Sequence, residues 1–216
     1  MSKQNPTPSE RRSFLTRFNA GAASVAALAL GSVAMAQTKT APAARWEPAR
    51  HDKDDWMDAV PGVHRMVIDT TSVEGFRDGV LYASNFLLAN KNDYGLENQQ
   101  IAMIVIARHI STGYGFNNDM WAKYGATLAG GPPAPEPPKT NPSAAALATL
   151  AGQGVQFAVC AMATRRLAGQ IARGGGNVDA VFAELGANLV TNGRLVPAGI
   201  VAVGRAQERG YSFVKA

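Results

Sequence analysis

The chain of 216 residues holds one cysteine, Cys160, and three widely separated histidines, His51, His64 and His109. A lone cysteine excludes an intrachain disulfide framework and leaves only pairing between chains. One cysteine and three scattered histidines match no recognised zinc spacing, so no conventional metal site is expected. The phosphate-cradling glycine patterns are missing too. Neither G-x-G-x-x-G nor G-x-x-x-x-G-K-[ST] occurs, although the chain has 22 glycines. A nucleotide- or NAD-dependent enzyme is therefore a distant reading, and no cofactor is expected. Past the N-terminal region there is no run of eighteen apolar residues to cross a membrane. No basic patch is interleaved with aromatics, which argues against nucleic acid as a partner. The formal net charge of +5 overstates the basic character: Lys3, Arg11, Arg12 and Arg17 against Glu10 put +3 of it in residues 1–36.

The N-terminus reads as an address. Glu10-Arg11-Arg12-Ser13-Phe14-Leu15 carries a twin-arginine pattern, followed by a moderately apolar, alanine-rich stretch from Phe18 to Val33. Ala34-Met35-Ala36 is a small-x-small cleavage site with Gln37 as the new N-terminus. Residues 1–36 are expected to be a Tat signal peptide that directs the protein to the periplasm, with no membrane association after cleavage. The competing reading, an uncleaved anchor, needs a longer and more apolar stretch. The Tat route carries folded proteins, which fits an assembly or cofactor acquired in the cytoplasm.

Residues 37–61 are polar and charged and read as an arm over the domain surface, with Trp56 as its aromatic anchor. His51, Asp52 and Asp55 can be read as metal ligands or as an ordinary solvated cluster. The domain proper is expected at 62–216. Arg65–Asp69 reads as a first strand. A helix follows, capped by Asp78 and running to about Asn90, with Val80, Leu81, Ala83, Leu87 and Leu88 near one stripe. Ile101–Ile106 is apolar at every position, the pattern of a strand covered on both faces in a parallel sheet. Asn118–Tyr124 reads as a short helix. Tyr114 and Trp121 read as packing residues. Ala129–Pro142 is proline-rich and cannot be regular structure; it is a surface insertion, or else a lid or oligomer contact. Ser143 is expected to cap a short helix to Gly152. Further elements are expected at Val155–Val159 (strand), Met162–Ala172 and Val178–Leu185 (helices), Arg194–Pro197 (strand), Ile200–Arg209 (helix) and Tyr211–Val214 (strand). This alternation predicts a single three-layer α/β domain with a mostly parallel sheet of about five strands.

Cys160 ends one of these strands and precedes a helix. At such a junction a thiol lies near helix N-terminal amides, which favour a thiolate and make it a better nucleophile. Arg165 and Arg166 lie a turn or more along that helix, so one of them is expected to face the pocket. His109 follows the Ile101–Ile106 strand, where parallel α/β sheets build their sites, and is a candidate proton acceptor if the two loops converge. Each has a plainer reading: a packed thiol, a loop histidine, solvated arginines.

The sequence resembles the DsrE-like family of sulfur-relay proteins over roughly residues 64–216. The resemblance is carried by Gly154-Val155-Gln156-Phe157-Ala158-Val159-Cys160, Val196-Pro197-Ala198-Gly199-Ile200, and Gln207-Glu208-Arg209-Gly210-Tyr211-Ser212-Phe213-Val214. Asn85 and His109 fall where family members often carry an asparagine and a histidine. The resemblance implies a trimer or hexamer and a persulfide on Cys160, with a sulfur donor or acceptor protein as partner. It departs from the pattern in its export signal, its arm and its proline-rich insertion. Two functions remain open: a periplasmic persulfide carrier or sulfurtransferase with Cys160 and His109 as catalytic residues and Asn85, Arg165 and Arg166 in support, or a non-enzymatic binding or assembly module in which Cys160 is inert.

Overall fold

The strand Ile101–Ala107 (β2) is buried at all of its positions and is the central strand of the sheet. The computed structural model describes residues 46–216 apart from Pro133. The signal-peptide reading and the first part of the arm fall outside the described residues. Around β2 stand β1 (His64–Thr70), β3 (Gln156–Cys160), β4 (Gly193–Val196) and β5 (Ser212–Lys215). All pair in parallel, in the order β4-β3-β2-β1-β5. The expected three-layer α/β domain is the observed one, with a fully parallel five-stranded sheet.

Period-two alternation divides β2 between two cores. Ile101, Met103, Val105 and Ala107 face one apolar cluster, and Ala102, Ile104 and Ile106 face the other. The first cluster lies under α1 (Val73–Tyr94), α2 (Asn118–Leu128), α3 (Ala144–Gly152), α4 (Ala161–Ile171) and α5 (Val178–Ala187). The second is covered by α6 (Gly199–Glu208), through Ala202, Val203 and Ala206, and by Met57 and Val60 of the arm.

The arm is therefore more than a surface strap. Trp56–Ala59 forms one helical turn, and Met57 is fully buried against the sheet. Tyr211 Oη donates to Met57 O at 2.6 Å, and Arg209 Nε donates to Asp58 Oδ2 at 3.1 Å. The apolar anchors are Met57 and Val60; Trp56 is only partly buried, with the Arg194 guanidinium over its ring at 4.4 Å.

The first helix corrects its expected start. Ser72, not Asp78, caps α1: its Oγ accepts from Gly75 N–H at 2.9 Å. Phe76, Val80, Ala83 and Leu87 form the buried stripe, whereas Leu81 and Leu88 are exposed. Helical spacing admits the first four on one face and turns the other two away. Ser143 stands at the head of α3 without a side-chain cap bond; instead Asn141 Oδ1 accepts from Ser143 N–H at 2.9 Å.

Residues 129–142 form no helix or strand, as their prolines require, with Pro133 outside the described residues. The end of the loop is fixed. Asn141 is buried, and its Nδ2 donates to Tyr114 O and Phe116 O at 2.8 and 2.9 Å. Trp121 is fully buried and packs edge-on against Tyr114, ring centroids 5.3 Å apart, and its Nε1 donates to Gly113 O at 3.0 Å.

Candidate functional site

The order of the strands decides where a site forms. After β1, β2 and β3 the chain turns to the face carrying α1 to α5; after β4 it turns to α6 on the opposite face. The adjacent strands β3 and β4 thus send their C-terminal connections to opposite sides. In open parallel sheets a crevice opens at such a point, and ligands bind there. A cleft of about 270 Å³ lies at this place. It is lined by Arg108 and His109 from the loop after β2, Cys160 and Arg166 from β3 and α4, and the Ala198-Gly199-Ile200 turn that opens α6.

Cys160 is both the last residue of β3 and the N-cap of α4, with no loop between. Its backbone is still extended, φ −70° and ψ 112°, while Ala163 N–H points back at Sγ, 3.5 Å away. A thiol here caps the helix as a serine hydroxyl would. Thr164 Oγ1 donates to Cys160 O at 2.9 Å, which locks the junction. The residue is 7 % exposed and lines the cleft.

The loop after β2 is pinned to the end of β1. Arg108 N–H donates to Ser111 Oγ at 3.0 Å, and that hydroxyl lies 2.9 Å from Thr70 Oγ1; Ser111 and Thr70 are both fully buried. Ile110 N–H donates to Thr71 O at 3.1 Å. Glycines allow the rest of the segment to sit close. A Cβ on Gly113 would stand 2.0 Å from Leu128 O, and one on Gly115 would stand 2.5 Å from the Val159 side chain. These glycines serve packing. Between them and Arg108, His109 adopts a left-handed backbone, φ 61°, uncommon for a residue with a side chain. Its carbonyl accepts from Arg166 Nη2 at 3.1 Å, which joins the β2 loop to α4.

One cation of the cleft is held from behind. Asp69, near the end of β1, is 2 % exposed and receives a two-point fork from Arg108. Nε reaches Oδ1 at 2.6 Å and Nη2 reaches Oδ2 at 2.7 Å. These hydrogen bonds hold the guanidinium above its ordinary range; burial opposes them, and the charges of Asp69 and Cys160 add to the rise.

The cleft gathers three of the residues singled out in the sequence: Cys160, His109 and Arg166. Of the two neighbouring arginines, Arg166 faces it. Arg165 points away, ion-paired with Asp179 and lying 4.3 Å from the ring centre of Phe182, where it ties α4 to α5. Asn85 is exposed along α1 and is not part of the cleft lining. Among the described residues no group of three or more His, Cys, Asp or Glu is arranged to hold a metal ion, the His51, Asp52 and Asp55 cluster included. Sequence reasoning missed Asp69 and Arg108. Their signal was an acid near the end of an apolar strand and a base just after the next one; the register pairs Asp69 with Ile106 and Thr70 with Ala107, which makes them neighbours.

A second cleft of about 370 Å³ lies beyond Arg166, lined in part by Gln170 and Arg173. A cavity of about 130 Å³ near Asn141 and Leu147 has no titratable group in its lining.

No protein-family model matches the chain, and no curated protein does. Among solved structures, it is similar to a protein of unknown function from Methanobacterium thermoautotrophicum. The two share 18 % identity over 71 % of this chain and 99 % of that one, with a TM-score of 0.43.

Proposed function

We propose that this protein handles sulfur through Cys160, as a persulfide carrier or sulfurtransferase exported to the periplasm by the signal in residues 1–36. The observation that carries the reading is the setting of Cys160: a cysteine that caps a helix, at the sheet's crevice, in a cleft lined by two arginines and a histidine. A thiolate is stabilised by such neighbours. The transfer balances simply. The Cys160 thiolate attacks the outer sulfur of a persulfide R–S–SH, forming Cys160–S–SH and releasing R–S⁻. An acceptor thiolate then attacks the outer sulfur in turn and frees Cys160. His109 serves to take the thiol proton at the start. The resemblance to the DsrE-like family adds a homo-oligomer and a donor or acceptor protein to the proposal.

The 7 % exposure of Cys160 favours a second reading, a binding module of the same fold with an inert thiol. The two are separated by a transfer assay from a glutathione persulfide donor to a small acceptor thiol. A carrier accelerates the transfer and Cys160→Ser abolishes the acceleration; a binding module leaves the rate at background.

A further inference from the structure

We infer that Arg108 is the anion-holding residue at Cys160 and that Asp69 is the positioning residue which aims it. This deepens the carrier reading and rests on it for the meaning of a charged sulfur in the cleft.

Asp69 and Arg108 cancel in net charge, so what they contribute is direction. Arg108 lines the cleft, whereas Asp69 is buried and outside the lining. A sulfur anion in the cleft therefore meets the positive end first. The side chain is also fixed. Asp69 takes Nε and Nη2, which leaves Nη1 as the guanidinium's remaining nitrogen. The aliphatic stem lies against the start of α6: a Cβ on Gly199 would stand 2.5 Å from Arg108 Cβ and 2.8 Å from Cδ. The backbone of Arg108 is held by Ser111. A cation that cannot swing costs no reorganisation when charge develops on sulfur. A lysine would keep the charge but lose the fork.

The other charges facing Cys160 are few. His109 comes from the same loop as Arg108 and Arg166 comes from α4; the α6 turn supplies Ala198, Gly199 and Ile200, and no acidic side chain lines the cleft. Of the two arginines in the lining, Arg108 is the one whose guanidinium is forked to a buried acid.

The test is the rate of Cys160 alkylation by iodoacetamide across pH, which needs no sulfur donor. Arg108→Met alone strands a buried carboxylate and is prone to unfolding, so the informative variant removes both charges, Asp69→Asn with Arg108→Met. Its fold is checked by circular dichroism. The inference expects its profile to move to higher pH, with alkylation at neutral pH slower by a few-fold, because the cation facing the cleft is lost together with an acid that lies outside its lining. Arg108→Lys should recover part of that rate. Asp69→Asn alone should slow alkylation, and the double variant should be no slower than Arg108→Met where that variant folds, because Asp69 acts through Arg108. A folded double variant with the wild-type profile overturns the inference, and so does a wild-type profile in Asp69→Asn alone. A shifted profile in a protein that takes up no sulfur upholds the inference and sinks the carrier reading.

Discussion

Asp69 and Arg108 meet across the ends of two adjacent parallel strands, with both carboxylate oxygens engaged by one guanidinium at 2.6 and 2.7 Å. The acid is 2 % exposed and the arginine side chain 22 % exposed, so the buried carboxylate depends on the guanidinium for its partner. Removing one partner of such a pair costs about 3–5 kcal/mol, while removing both together costs far less. Arg108→Met should therefore lower the urea midpoint strongly, and adding Asp69→Asn should restore much of the loss. Equal midpoints for the single and double variants would mean that the fork contributes little to stability.

Gly199 makes a second test of the same arrangement from the other side. Gly199→Ala drives a methyl into the stem of Arg108. Overpacking of this kind costs about 1–3 kcal/mol. The variant should be less stable in urea and slower in sulfur uptake, because the Arg108 side chain that lines the cleft is displaced. Uptake at the wild-type rate in a destabilised Gly199→Ala would separate packing from function at this position.

The paired arginines of α4 give a contrast within one turn. Arg166 lines the cleft and Arg165 does not. Arg166→Ala should slow sulfur uptake by Cys160, and Arg165→Ala should leave it unchanged. Equal effects of the two would contradict the orientation of the helix. Exposed ion pairs such as Arg165 with Asp179 contribute little stability, so neither change should unfold the protein.

Tyr211 links the arm to pH. Burial, the largest cause, raises its phenol from 10.0 to about 12; Arg65 opposes the rise, Asp58 adds to it, and Arg209 opposes it. In the unfolded chain the phenol loses its proton near its ordinary value, while in the folded protein it keeps it. The associated stability is thus complete below about pH 10 and falls away as pH rises toward 12. Each unit is worth about 1.4 kcal/mol, so the loss is on the order of 3 kcal/mol. Tyr211→Phe should flatten this part of the stability curve and should also lose the bond to Met57 O, about 1 kcal/mol at neutral pH. Parallel curves for wild type and variant between pH 10 and 12 would refute the assignment.

The centre of the sheet was legible because β2 and β3 lie in short, mostly apolar runs bounded by glycines and polar turns. Ile101–Ala107 showed its double burial in its composition alone. The Cys160 junction was legible for the same reason, since the apolar run stops at the residue where helical spacing begins. Other features depend on long-range neighbours. Nothing local distinguishes Ser72 from Asp78 as the cap of α1, because both precede helical spacing. Met57 reads as one apolar residue in a charged arm until α6 leaves part of the sheet's second face for it to cover. Asp69 and Arg108 are 39 positions apart and become a pair only once β1 and β2 are set side by side.

The most direct test of the central claim is the intact mass of the mature protein after incubation with a sulfane-sulfur donor, polysulfide or thiosulfate, beside Cys160→Ser. The carrier reading predicts the gain of one or more sulfur atoms on the wild type alone, reversed by a reductant. Well-folded wild-type protein that gains no sulfur would contradict it and leave the Cys160 cleft as a binding site.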